Sequence, residues 1–229
     1  MKLTWMKSSV LSAAFLITGS VAMAQDQPAP AQQPAPQPQS GSSSTPAAAP
    51  ASTPAAKPTV AQRKENQQDR IAQGVKSGQL TAGETANLES KEAAINGETR
   101  ADRAANGGKL TQAEKQQVNS QQNRLSKQIY NDKHNAATQN YGNSEVGQRQ
   151  RNQQQRIAQG IKSGQLTAGE TAKLENQQKG INQQVKADRS ANGGKLTPGE
   201  KQQVNKEQNA ASKNIYNKKH NANTQPKAK

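Results

Sequence analysis

The sequence predicts a mainly α-helical protein: two tandem three-helix units of capped helical hairpins that follow a disordered Pro/Gln/Ala-rich linker. Three observations support this prediction: a proline-rich stretch, a tandem duplication at an offset of 86 residues, and a short helix-capping element that occurs four times. The predicted regions are a signal peptide at 1–24, the linker at 25–61, a first repeat at 62–147 and a basic second repeat at 148–229.

The composition limits the kind of core that this chain can build. Hydrophobic residues make up 30% of the 229 residues and aromatic residues 2%, whereas an ordinary globular domain is roughly 45–50% apolar. We therefore expect neither one large core nor a catalytic site in a deep apolar pocket. The chain contains no cysteine, which excludes disulfide bonds and metal sites with cysteine ligands.

Residues 1–24 have the pattern of a secretory signal peptide. Two lysines precede a short apolar run, and Ala22-Met23-Ala24 supplies the small residues of an A-x-A cleavage site. The run is about 14 residues long, shorter than the roughly 20 that a membrane-spanning helix needs. We therefore expect an exported protein, periplasmic or secreted, with no transmembrane helix after signal cleavage.

Residues 25–61 are nearly all Gln, Pro, Ala, Ser and Thr, and they hold nine of the eleven prolines. Such a stretch cannot bury enough apolar surface to offset the entropy lost on ordering, and its prolines favour extended conformations. We expect a spacer between the signal and the helices. A proline-rich ligand for a partner protein is the alternative interpretation.

The rest of the chain is a tandem duplication. Residues 62–139 align without gaps on residues 148–225, and 54 of these 78 positions are identical. Within each repeat a Gly-x-Leu-Thr-x-x-Glu element occurs twice, 30 residues apart. Self-similarity at this level predicts the domain plan directly.

Each copy of this element predicts a helix start. A threonine followed three residues later by a glutamate forms a capping box, in which each side chain accepts a backbone N–H from the other residue, and the preceding glycine can end the previous helix. The predicted capping pairs are Thr81 with Glu84, Thr111 with Glu114, Thr167 with Glu170 and Thr197 with Glu200. The predicted helices are 62–76, 81–105, 111–135, 148–162, 167–191 and 197–221.

Apolar residues form only narrow stripes on these helices. Ile71 and Val75 lie four residues apart, Leu88 and Ile95 lie seven apart, and Leu125 is replaced by alanine in the second repeat. A thin apolar face gives each helix little to bury. We therefore expect marginal stability, with long hairpins or helices that order on meeting a partner rather than a rigid globule.

The fourfold element resembles the loop of an EF-hand. With Glu84 at loop position twelve, Gly78 falls at position six and helices flank the loop. The resemblance implies calcium binding, for which the family places oxygen side chains at positions one, three and five. Position one here is Gln73, Arg103, Gln159 or Arg189. The element thus resembles degenerate EF-hand-like helix-loop-helix repeats within an exported bacterial protein. We expect no metal site and no cofactor, and we keep calcium binding as the alternative function.

The positive charge is concentrated in the second repeat. Of the formal charge of +15, residues 62–147 carry 12 basic and 10 acidic residues, whereas residues 148–229 carry 16 basic and 5 acidic residues. Such asymmetry indicates an anionic partner, here an anionic polymer or an envelope surface, and the alternative is a solvated basic face. The residues expected to make this contact are Arg149, Arg151, Arg156, Lys213, Lys218 and Lys219.

The sequence lacks catalytic constellations. Its two histidines, His134 and His220, occupy equivalent places in a Lys-His-Asn motif, and the nearby Asp132 becomes a lysine in the second repeat. No H-E-x-x-H motif and no phosphate-binding glycine loop occurs. We therefore expect a non-enzymatic protein with a binding or structural role and no catalytic residue.

Overall fold

A computed structural model describes residues 57–226. Over this range the chain forms six α-helices and no strand, which confirms the predicted mainly α fold class. The helices are α1 (Val60–Ser77), α2 (Ala82–Ala105), α3 (Gln112–Lys133), α4 (Glu145–Lys162), α5 (Ala168–Ala191) and α6 (Pro198–Lys219). The predicted signal peptide and linker residues 25–56 lie outside the described residues.

The helix starts that differ most from the predicted ones are those of α1 and α4. Thr59 caps α1 and forms a capping box with Gln62, so that this helix begins at Val60, before the predicted end of the linker. Ser144 caps α4 by accepting the N–H of Gly147 at 3.3 Å. The predicted boundary between the repeats therefore falls inside the first turn of α4.

The fourfold element forms a capping box at all four places. Each threonine hydroxyl accepts the N–H of the glutamate three residues later at 3.3 Å. In return, each glutamate carboxylate accepts the N–H of its threonine at 2.7–3.1 Å. Pro198 takes the first position of α6, where its missing N–H breaks no helical hydrogen bond.

The larger of the two hydrophobic clusters among the described residues is shared by both repeats. Its members include Ile71, Leu88 and Ile129 from the first repeat, together with Ile157 and Leu174 from the second. Helix α2 packs against α5, and α1 packs against α4, so all described helices belong to one compact unit. The sequence predicts long hairpins or helices that order on a partner, whereas α1 and α2 pack against α4 and α5 within one folded unit. A smaller apolar cluster lies within the second repeat and includes Val146, Ile181 and Val204.

The packing between the repeats follows an approximate two-fold symmetry. Gly83 of α2 lies against Lys179 of α5, and Gly169 of α5 lies against Ala93 of α2. These two contacts join equivalent positions at the offset of 86. The same surface of each repeat therefore meets itself, as in a symmetric dimer fused into one chain.

The Lys-His-Asn motif lies at the C-terminal end of α3 and of α6, the third helix of each repeat. The ring of His134 stacks on Tyr130 with a centroid separation of 4.2 Å, and its Nδ1 lies 2.7 Å from the carbonyl oxygen of Tyr130. Asn135 then donates to Glu84 of the capping box at 2.7 Å. The second repeat has the same contacts. The structure thus gives both histidines helix-ending contacts.

A matched pair of glycine substitutions tests the packing at a helix end. A Cβ atom on Gly74 would lie 2.6 Å from Leu80, whereas one on Gly97 in α2 would meet no heavy atom within 4 Å. We expect Gly74→Ala to lower the free energy of unfolding by about 1–3 kcal/mol through overpacking. We expect Gly97→Ala to raise it by about 0.5–1 kcal/mol through helix propensity.

Urea denaturation followed by circular dichroism measures both changes. Equal effects of the two substitutions would contradict the close contact between Gly74 and Leu80.

Candidate functional site

The residues predicted to contact a polyanion lie on two helices of the second repeat. Arg149, Arg151 and Arg156 are on α4, whereas Lys213, Lys218 and Lys219 are on α6. The two helices pack side by side, which brings part of this set together. These six side chains do not all form one surface, since some hydrogen-bond between α4 and α6 whereas Arg151 hydrogen-bonds to Gly142, before α4.

Three of the six side chains bridge α4 and α6. Arg149 donates to Asn205 at 3.0 Å, Arg156 donates to Ser212 at 2.9 Å, and Lys219 donates to Gln159 at 3.2 Å. Partial burial, and secondarily the charge of Arg156, lowers the pKa of Lys219. Arg156 and Lys219 are therefore a pair of like charges fixed close together.

The other three side chains are spread over the same repeat. Arg151 donates to the carbonyl of Gly142 at 3.1 Å, Lys213 is exposed and Lys218 is half-buried. Of the predicted set, Arg156 lines the groove between α1 and α4, and Lys219 donates to Gln159, which also lines it.

The α1–α4 groove has a volume of about 800 Å³ and is lined by both repeats. Its lining is rich in amides and cations. The amides are Gln73, Asn152, Gln155 and Gln159, and the cations are Lys76, Arg156 and Lys162. Among the described residues that line this groove, none is acidic. The groove is therefore a basic, amide-rich depression at the junction of the repeats.

One carboxylate, that of Asp69 on α1, reaches the groove from its first-repeat side. Its Oδ1 lies 3.7 Å from Nζ of Lys162, and its Oδ2 accepts a hydrogen bond from Gln73 at 2.5 Å. Partial burial and Arg70 lower the pKa of Lys133, and Asp69 acts in the opposite direction. Asp69 is therefore an internal anion held among cations from three helices.

Three glutamates are completely buried between the helices: Glu89, Glu92 and Glu175. Burial raises the pKa of Glu89 and of Glu175 to about 8 and that of Glu92 to about 7. Glu89 and Glu175 are equivalent residues, and each accepts one hydrogen bond from a glutamine, Gln68 at 3.1 Å and Gln154 at 2.8 Å.

Other ionisable groups face these carboxyls from the neighbouring elements. Lys64 of α1 faces Glu89 and Glu92, and burial lowers the pKa of this lysine. Tyr141, between α3 and α4, faces Glu175, and burial raises the pKa of its phenol. Because burial outweighs the attraction of Lys64 for Glu89 and Glu92, the low dielectric of the interior favours the neutral acids.

The second repeat indicates a hydrogen bond that a protonated Glu92 can make. In the second repeat its equivalent, Gln178, donates to Gln153 Oε1 at 3.1 Å. In the first repeat the matching acceptor, Gln67 Oε1, and both oxygens of Glu92 have no hydrogen-bond partner among the described residues. A protonated Glu92 carries an O–H that can donate to Gln67, and this bond would replace the one that Gln178 makes.

The buried glutamates were not predicted from the sequence. A usable signal was present, since Thr85, Leu88, Glu89 and Glu92 stand at positions i, i+3, i+4 and i+7 and therefore lie on one side of α2. A glutamate on a polar helix is nevertheless most often a surface residue. The packing of α2 against α5, together with side chains of α1 such as Gln68, buries this face.

The connections between helices differ from an EF-hand loop. Helix α1 continues to Ser77, so that only four residues, 78–81, separate it from α2, whereas an EF-hand loop has twelve. The carboxylate of Glu84 accepts hydrogen bonds from the backbone N–H of Thr81 and from the side chain of Asn135. In the part of the chain that the structure describes, no group of three or more His, Asp or Glu side chains is placed to hold a metal ion.

No family model matches this chain, and no curated protein or solved structure is detectably similar to it. Between residues 57 and 226, no helix has the length and apolar character needed to cross a membrane.

The buried glutamates predict a stability that depends on pH. Since their pKa values in the folded state lie above the ordinary 4.5, the folded state binds more protons than the unfolded state. The free energy of unfolding should therefore fall as the pH rises from about 4.5 to about 8. We expect Glu92→Gln to remove part of this fall and to stabilise the chain at pH 8 by up to about 3 kcal/mol.

The reverse substitution in the second repeat, Gln178→Glu, is the matched control. It should destabilise the chain at pH 8 and steepen the dependence on pH. Urea denaturation at several pH values measures both effects. A loss of stability in Glu92→Gln at pH 8 would show that this carboxyl is needed in its charged form.

Proposed function

We propose that this chain is an exported, non-enzymatic helical repeat protein of the bacterial envelope. Its role is to bind an anionic polymer or an anionic envelope surface, mainly through the second repeat. The capped helices form the scaffold, and the basic side chains on α4 and α6 make the contact. Export is supported by the signal-like residues 1–24.

The observation that carries the proposal is a charge difference between two halves of the same fold. The aligned residues 62–139 and 148–225 are identical at 54 of 78 positions, yet their formal charges are +3 and +9. The first repeat folds with Glu65 and Asp132 where the second has Arg151 and Lys218. Since the fold does not require these cations, binding of an anion is the reason we assign to them.

The few aromatic residues favour a contact made by charge rather than by base stacking. Among residues 57–226 the exposed rings are those of Tyr130 and Tyr216, at 58% and 60% exposure, and each stacks on the histidine at the end of its helix. Proteins that bind single-stranded nucleic acid stack successive bases on such rings. Counterion release would instead drive binding to a polyanion, with a steep dependence on salt.

Charge reversal at two positions tests the assignment to the second repeat. Arg151→Glu and Lys218→Asp install the residue types that the first repeat already carries, so the fold should tolerate them. We expect the double variant of the full chain to elute from a heparin column at lower salt. We expect the slope of log affinity against log salt to fall by about 2, since each lost contact contributes about 1.

The control makes the same change of charge in the first repeat. Lys115→Glu with Arg124→Glu alters two exposed residues of α3 and should reduce retention much less. Equal losses in the two double variants would show that only net charge matters and that the second repeat has no special role.

The export proposal has its own test. Protein recovered from the periplasm or the medium should begin at Gln25, as N-terminal sequencing would show. Ala24→Lys should block cleavage, because a small residue is needed at that position, whereas Ala31→Lys in the linker should be processed normally. Recovery of uncleaved chain from the cytoplasm alone would contradict export.

A further inference from the structure

We propose that the α1–α4 groove binds an acidic polysaccharide, and that a carboxylate of the polymer occupies, beside Gln155, the place that Asp69 holds in the other half of the groove. This inference rests on the proposed function, and it names the site and the chemical class of the ligand. It also moves the site from the second repeat alone to the junction of both repeats.

The first half of the groove shows what such an anion does. Asp69 reaches Lys162 from across the groove at 3.7 Å and accepts a hydrogen bond from Gln73. It also faces Lys133, which lies beside Arg70. One carboxylate therefore neutralises part of a cluster of cations contributed by α1, α3 and α4.

The second half repeats the cations without the carboxylate. Lys76, Arg156 and Lys219 are the equivalents of Lys162, Arg70 and Lys133, but Gln155 stands where symmetry would place an aspartate. Lys76, Gln155 and Arg156 all line the groove. Lys219 borders it through its bond to Gln159 at 3.2 Å.

The like charges in this second half remain uncompensated. In the first half burial and Arg70 lower the pKa of Lys133, and Asp69 acts partly against them. In the second half burial and Arg156 both lower the pKa of Lys219, with no carboxylate acting against them. An external anion placed here would relieve the repulsion between Arg156 and Lys219, and this relief favours binding.

The rest of the lining indicates a sugar polymer. Amide side chains offer both donors and acceptors, which suits the hydroxyl groups of a carbohydrate, and four of them line the groove. Ala72 and Ala158 also line it and leave room for close approach of a ligand. No aromatic ring is among the described lining residues, which disfavours a ligand held by stacked bases.

Titration of the full chain with oligogalacturonate in a calorimeter tests the proposal. Gln155→Asp installs the internal anion of the first half, and we expect it to weaken binding at least tenfold. Asp69→Gln, the matched control, opens the other half and should leave affinity equal or higher, with up to two sites per chain. Neutral dextran, which has the hydroxyls without the carboxylates, should not bind.

Lys76→Gln is a second, independent test of the groove in case the Gln155→Asp variant does not fold. It should also weaken oligogalacturonate binding, whereas Lys115→Gln on the exposed face of α3 should not. Circular dichroism checks that each variant is folded.

The outcomes separate this inference from the proposed function. If oligogalacturonate and heparin bind but Gln155→Asp and Lys76→Gln change nothing, the groove is not the site, and the proposed function stands. If no polyanion binds the parent chain, both fail. Binding of a DNA oligonucleotide with no binding of oligogalacturonate would overturn the assignment to a polysaccharide.

Discussion

The packing of α2 against α5 is the contact on which the rest of this structure depends. A chain with 30% hydrophobic residues gives each three-helix repeat only a thin apolar stripe, and such a stripe leaves a helix hairpin half uncovered. The two repeats cover these stripes by packing against each other, since side chains such as Leu88 and Leu174 belong to one core. Each repeat therefore depends on the other to bury apolar residues of this shared core.

This solution brings polar side chains into the interior. Gln67, Gln68 and their equivalents are buried, together with Glu89 and Glu175. Buried amides are tolerated because they donate to neighbouring carbonyls and carboxyls, as Gln67 does to Gln122 at 2.7 Å. A buried carboxylate without a cation is costly, so the acids become neutral instead. These hydrogen bonds join helices of the same repeat, and those from Gln68 to Glu89 and from Gln154 to Glu175 involve carboxyls whose protonation depends on pH.

The sequence predicted what is local and missed what depends on docking. Thr81 and Glu84 cap α2 through contacts three residues apart, so their pattern can be recognised in isolation, and the predicted helices agree with the observed ones to within three residues at each end. The burial of Glu89 and the meeting of Lys162 with Asp69 need two distant segments to be placed side by side. The local pattern places residues such as Leu88 and Glu89 on one side of a helix, but it does not show that another segment covers that side.

The same dependence on docking decides where an anion can bind. The charge difference between the repeats indicated the second repeat, but a charge count cannot say which cations face a common space. Lys76 of the first repeat and Arg156 of the second line one groove only because α1 packs against α4. Approximate symmetry makes the two halves of this groove alike, and the single exchange of Asp69 for Gln155 makes them different. Half of the groove therefore carries its own anion, and the other half has the matching cations without one.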